Sequence, residues 1–247
     1  MGHDSISIIL HGIKGSNNIG YVARAMANTG FKHLRLSEMR CRIDSAAYRC
    51  AATPEAHRIL KKAKIVDNLS DALSDLSCIV GTTARHRHNR SLMQITPAVS
   101  RIIRDSEYNT VGILFGPEEH GLSNQDMSHC DILVTLPAAH NQTSYNVSHA
   151  VLLVLYSLLT AGVSEADTVQ VEVLRASHQS IQALFEDART TLLEIGYLNR
   201  QNPDGILQEF REIAGRARLT EREVALLRGI CRKMRTFVKK DTKRKSG

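Results

Sequence analysis

The sequence contains no tryptophan and only 4% aromatic residues. It therefore lacks the rings on which single-strand nucleic-acid binders stack bases, and any nucleic-acid contact is expected to rest on phosphate, sugar and shape. Long apolar runs are missing too. The longest, Val147 to Leu159, is broken by Ser148, His149 and Ser157 and falls short of the roughly 20 residues a membrane span requires. The start, Met1-Gly-His-Asp-Ser5, has no basic region followed by an apolar stretch, so no secretory leader is expected and the protein is read as cytoplasmic, with no membrane association. The five cysteines form no C-x-x-C pair; their odd number and wide spacing favour reduced, mostly buried thiols. Against these absences stands an excess of base, 32 lysines and arginines to 25 acids. Such a field draws a polyanion, and nucleic acid is the natural partner, although a merely solvated basic surface has the same composition.

With 247 residues, 43% of them hydrophobic, the chain is long enough for one α/β domain and a smaller appendage. Six β-rich runs, residues 5–10, 33–36, 63–66, 78–81, 110–115 and 132–136, alternate with helical patterns. Helix starts are legible between them: Thr53 before Pro54, Asn68 before a run carrying Leu69, Ala72, Leu73 and Leu76, and the capping box Ser123-x-x-Asp126. The expected fold class is therefore α/β, a mostly parallel sheet with helices on both faces, over residues 1–162. From Ala161 to Thr168 the sequence turns small and polar. Beyond it residues 163–247 are expected to form a small all-α domain, with Val173, Ile181, Leu184, Phe185, Ala188 and Leu192 at helical spacing and a capping box at Thr220-x-x-Glu223. The basic end, Lys239 to Lys245, is expected to be a disordered tail before it is an RNA contact.

Three loops at the ends of expected strands stand where open α/β sheets place their ligands. After the first strand, Gly15-Ser-Asn-Asn-Ile-Gly20 turns into a helix that carries Arg24 one turn in. By itself this is also what a common Gly/Asn turn looks like. The second loop, Gly116-Pro-Glu-Glu-His-Gly121, sets two carboxylates on a turn off a buried strand, which is costly unless they stay solvated or bind something polar. The third joins Leu136-Pro137 to Thr143-Ser-Tyr-Asn-Val-Ser148, where capping alone suffices for Asn146. Three such loops in one chain are harder to explain as unrelated turns.

Asn18-x-Gly20-x-x-x-Arg24, Gly116-Pro-Glu-x-x-Gly121-Leu122, and Leu136-Pro137 with Ser144-x-Asn146-Val147 together resemble the three ordered motifs of the SpoU/TrmH branch of SPOUT methyltransferases. Gly81-Thr-Thr-Ala-Arg85, with Gly196-Tyr, Gly215-Arg-Ala-Arg218 and Leu-Arg-Gly229 in the tail, is similar to the TrmJ subfamily of tRNA (cytidine/uridine-2′-O-)-methyltransferases, so the likeness spans nearly the whole chain. The resemblance implies a sheet whose C-terminal segment forms a trefoil knot, a homodimer, and transfer of a methyl group from S-adenosylmethionine to a tRNA ribose, with nucleotide 32 of the anticodon loop suggested as the target. It implies Asn18, Arg24, Glu118, Ser144 and Asn146 as catalytic candidates. Thr82, Thr83, Ala84, Gly116, Leu136, Thr143, Ser144 and Tyr145 are implied as the cofactor lining, largely through backbone groups. Tyr145 and His149 stand where relatives often carry smaller or aliphatic residues.

The run Arg85-His-Arg-His-Asn-Arg90 follows a strand end, and Arg85, Arg87 and Arg90 are expected to meet RNA phosphate. A metal site from His86 and His88 is disfavoured because no Cys or acid stands at a suitable spacing, so no metal is expected. A dinucleotide-dependent oxidoreductase would suit the sheet pattern but needs a G-x-G-x-x-G loop after strand one, which is missing. A non-catalytic RNA-binding protein on the same scaffold, or a methyltransferase of this class acting on rRNA, stay open as alternatives; the former needs no cofactor cleft.

Overall fold

The computed structural model describes residues 3–84, 92–139, 144–161, 174–199 and 204–245. The chain divides into two compact units, Met1–Glu172 and Val173–Gly247.

In the first unit a 3-10 turn, His3–Ser5, leads into β1 (Ile6–His11), buried along its whole length. The remaining strands are β2 (His33–Ser37), β3 (Lys64–Val66), β4 (Cys78–Thr82), β5 (Leu92–Gln94), β6 (Val111–Phe115) and β7 (Ile132–Thr135). They form one seven-stranded sheet in the order β3-β2-β1-β6-β4-β7-β5, and every pairing is parallel. Central strands of such a sheet are covered on both faces, which is why ISIILH and VGILF are buried along their whole length and largely apolar. Strand β5, three residues at a sheet edge, was not among the expected ones.

Alternate strand residues feed two cores. Ile8, Leu10, Val80 and Ile113 pack with α1 (Ser16–Thr29), α2 (Ser45–Ala51), α3 (Pro54–Lys62), α5 (Ile95–Tyr108) and α7 (Val147–Ala161). Ile9, Ile79, Leu114 and Leu133 pack with α4 (Leu69–Leu73) and with Met127 of α6 (Asn124–Ser128). The expected caps form: Thr53 accepts from the Ala56 amide, Asn68 from that of Asp71, and Ser123 and Asp126 satisfy each other's amides. Gly20 has a steric cause. A Cβ there would stand 2.2 Å from the Ala47 carbonyl oxygen, so glycine is what lets α1 and α2 close on each other.

The second unit is helical as expected: α8 (His178–Glu194), α9 (Asp204–Ala217) and α10 (Glu221–Lys245). Thr220 and Glu223 form the capping box that opens α10, each side chain bonded to the other's amide. The basic end departs from its expectation, because α10 continues as helix to Lys245. Ala176, Leu184 and Val224, with Ile181 and Leu219 against them, make a small core. Asp187 on α8 accepts from Arg228 Nε and from Arg235 Nη2, each at 2.7 Å, and so ties α8 to α10. These two bonds, the first the stronger influence, hold the Asp187 carboxyl below the usual range. Residues 162–173, which include Val173 and most of the small, polar stretch from Ala161 to Thr168, lie outside the described residues.

Candidate active site

The strand order fixes where a ligand binds. From β1 the chain runs outward through β2 to β3, then returns to the other side, where β6 lies next to β1 and β4 next to β6. At such a switch the loops leaving adjacent strands part, and a crevice opens at the strands' carboxyl ends. The loops there are 12–15 after β1, 83–84 after β4, 116–123 after β6 and 136–139 after β7.

Glu118 is the hub of this edge. Its carboxylate accepts from Asn18 Nδ2 at 2.8 Å and from the backbone amides of Gly15 and Lys14, each at 3.3 Å. Burial pushes the carboxyl up, but the hydrogen bonds from Asn18 and from the amides of Glu118, Lys14 and Gly15 outweigh it and hold it below the usual range. Asn18 Oδ1 in turn accepts from Asn146 Nδ2 at 3.2 Å, and Asn146 Oδ1 accepts from the Ser148 amide at 2.9 Å and the Ser148 hydroxyl at 2.7 Å. An ionised carboxylate accepts and never donates, so Glu118 dictates which end of each amide points where along the whole chain. Asn146 is both the helix cap that the sequence suggested and a member of this network.

A cleft of about 270 Å³ opens beside it. Thr82, Thr83, Ala84, Gly116, Leu136, Ser144 and Tyr145, all expected at the cofactor site, line it, together with Phe115, Val134, Val147, Ala150 and the 117–121 turn. A Cβ on Gly116 would meet the backbone of Gly121 and Leu122 at 2.4 and 2.5 Å, so that turn closes back on its own start because residue 116 is glycine. Gly121, at φ 62°, completes it. Tyr145 is tied by its hydroxyl to the Pro137 carbonyl at 2.7 Å while the residue stays 42% exposed. His11, buried at the end of β1, lies between the Ser37 hydroxyl at 3.1 Å and Asp126 at 3.5 Å, a second link from β1 to the segment that carries Glu118.

Arg24 is not among the partners of Glu118. Its guanidinium donates to the Ala51 carbonyl at 3.4 Å, whereas Glu118 holds Asn18 and the loop amides. The carboxylate therefore orients the asparagine, not the arginine. Thr143, Arg85, Arg87 and Arg90, with His86 and His88, lie outside the described residues. The sequence did not point to the Lys14 and Gly15 amides or the Ser148 hydroxyl. Backbone donors leave no mark in a sequence, and Ser148 reads as one more polar break in an apolar run.

Fold and site define an α/β protein with a cleft at the carboxyl ends of a parallel sheet, bounded by three hydrogen-bonded loops. The model of the SpoU rRNA Methylase family matches residues 5–156, and the chain belongs to that family. Residues 179–246 match the C-terminal domain of the tRNA methyltransferase TrmJ. The tRNA (cytidine-2′-O-)-methyltransferase TrmJ of Methanocaldococcus jannaschii is 34% identical over 158 residues, covering 63% of this chain and 67% of that protein. The tRNA (cytidine/uridine-2′-O-)-methyltransferase TrmJ of Sodalis glossinidius is 29% identical over 92% of this chain and 89% of its own length. The crystal structure of TrmJ from Z. mobilis ZM4 superposes with a TM-score of 0.79 at 27% identity, over 93% of this chain and 98% of that one.

Proposed function

We propose that the chain transfers a methyl group from S-adenosylmethionine to a ribose 2′-hydroxyl of tRNA, at cytidine or uridine 32 of the anticodon loop, as a cytoplasmic homodimer with a trefoil-knotted first unit. The observation that carries this reading is the hydrogen-bonded chain Glu118–Asn18–Asn146, which joins the second motif loop through the first turn of α1 to the third loop at the edge of one cleft. The names of the TrmJ relatives support tRNA, and so does the match of the second unit to a tRNA methyltransferase domain. The family description, which names rRNA, favours the second reading, a ribosomal RNA substrate.

The cleft fits the cofactor in kind. Phe115, Val134, Leu136, Val147 and Ala150 offer an apolar wall to a purine, and Glu119 offers a carboxylate to a cationic end. Thr82, Thr83, Ala84, Gly116, Leu136, Ser144 and Tyr145, with Thr143, are the residues assigned to hold it. When bound, S-adenosylmethionine supplies a methyl carried on a sulfonium, and the receiving oxygen must lie in line with the S–C bond. The protein's part is then largely placement, which supplies up to about 7–11 kcal/mol in favourable cases. Asn146 and Ser144 fix the hydroxyl, the former in an orientation set through Asn18 by Glu118. Arg24 holds the neighbouring phosphate and stabilises the developing alkoxide; a guanidinium does not readily give up its proton and so does not serve as base.

The homodimer rests on α7. A helix apolar nearly all round belongs in an interior, yet Leu152, Leu153 and Tyr156 are 40, 38 and 59% exposed. A second copy of the chain is the cover assigned to this face, with Arg24 then serving the partner's cofactor.

The deciding assay is methyl transfer from labelled S-adenosylmethionine to an unmodified tRNA transcript, with the methyl located by nuclease digestion and mass spectrometry. A 2′-O-methyl pyrimidine at position 32 is expected; transfer to rRNA alone selects the second reading, and no transfer with no cofactor binding overturns both. Glu118→Gln, which frees Asn18 to flip, is expected to lower kcat about 100-fold with cofactor affinity retained. Arg24→Lys keeps charge but loses the planar fork, so near-normal transfer by it would remove the arginine's assigned role.

A further inference from the structure

Residues 38–44 join β2 to α2 along the carboxyl edge of the sheet, and their burial alternates. Met39, Cys41 and Ile43 pack against the main core, while Arg40 and Arg42 between them are exposed. The segment is fastened to the β1 loop at the buried Ile13, whose carbonyl accepts from the Arg40 amide at 2.9 Å and from the Cys41 thiol at 3.6 Å. The same loop carries Lys14, paired at 2.7 Å with Glu119 on the rim of the cleft. Arg40 and Arg42 have no ion pair within 4 Å among the described residues. The acids nearby are Glu119, which Arg40 feels at longer range, Glu38, and Asp44, whose carboxylate caps α2. Towards the amino ends of the strands the pattern reverses: Lys32 pairs with Asp4 at 3.2 Å and Lys64 with Asp75 at 3.8 Å.

We propose that Arg40 and Arg42, with Lys14 behind them, form a track for the phosphate backbone of the substrate RNA beside the Glu118–Asn18–Asn146 site. The proposal rests on the reading of this chain as an RNA methyltransferase and adds the surface that holds the strand. Two uncompensated guanidiniums on a fastened backbone suit phosphate, which Arg meets with a planar fork. The alternation explains why both point outward, since turning either inward would expose Met39, Cys41 and Ile43. An acidic protein is the rival occupant. It is disfavoured because the strip flanks the cleft, where an RNA substrate must pass.

The test is tRNA affinity against KCl concentration for wild type, for Arg40→Gln/Arg42→Gln, and for Lys61→Gln/Lys62→Gln at the end of α3, on the opposite edge. The arginine pair is expected to weaken binding at low salt and to flatten the slope of log K against log salt by about one unit per arginine, with cofactor affinity unchanged; Arg40→Lys/Arg42→Lys is expected to restore most of the slope. An unchanged slope in the Gln variant, or an equal loss in the lysine pair, overturns the track. Methyl transfer by wild type, measured in parallel, separates the failures. Transfer with an unaltered slope in the arginine variant rejects the track alone, whereas salt-dependent binding without transfer rejects the reaction and leaves the track standing.

Discussion

The two units differ most in how much of their apolar surface they cover. In the first, the strands bury side chains on both faces of the sheet, many at 0% exposure, against α1, α2, α3, α5 and α7 in one core and against α4 and α6 in the other. In the second, Ala176, Leu184 and Val224 are buried together, while Phe210, Ile213, Leu226, Ile230 and Phe237 stand 41 to 74% exposed. A sheet offers two faces to cover, and each added helix buries another stripe. Three helices with a core this small gain less from burial, and charge takes a larger share of their cohesion. The first unit is thus held by packing, and the second depends on the Asp187 hub.

The comparison breaks most sharply at Leu10, fully buried in the first unit. Leu10→Ala is expected to cost about 2–5 kcal/mol, seen by calorimetry as a lowered transition for the first unit, with helical signal from the second persisting; loss of both together would show that they do not melt independently. A smaller effect, about 1.5–3 kcal/mol, is expected from Asp187→Asn, which leaves Arg228 and Arg235 without their shared acceptor. Acid should reproduce it. Because the folded carboxyl lies below its ordinary value, its stabilisation is present above the usual aspartate range near pH 4 and is lost as the pH falls through the depressed value. In the Asn variant the second unit's acid transition should flatten, and an unaltered one would assign that transition to other groups. The smallest change, about 1 kcal/mol, is expected for Thr220→Ala at the start of α10, read by helix loss on heating.

Much of this was legible in the residues. Thr53, Asn68, Ser123 and Thr220 capped the helices they were expected to cap, because a cap is a local bond between a side chain and an amide three residues on. Six of the seven strands were expected from β-rich runs, while β5, three residues at an edge, was not. The basic run at the chain's end was misjudged as disordered, since composition does not register that α10 can carry its helix through it.

What the sequence determined by itself was the set of elements and the three loops, each encoded by neighbours within a few residues. Which loops meet was decided by the tertiary structure. Asn18 lies 100 residues from Glu118 and 128 from Asn146, and only the order β1-β6-β4-β7 brings their strand ends to one edge. The partner of Glu118 was decided the same way. Spacing could not say that its carboxylate, ringed by Asn18 and two loop amides, would orient an asparagine while Arg24 reached for Ala51, because those contacts depend on how α1 and α2 close at Gly20.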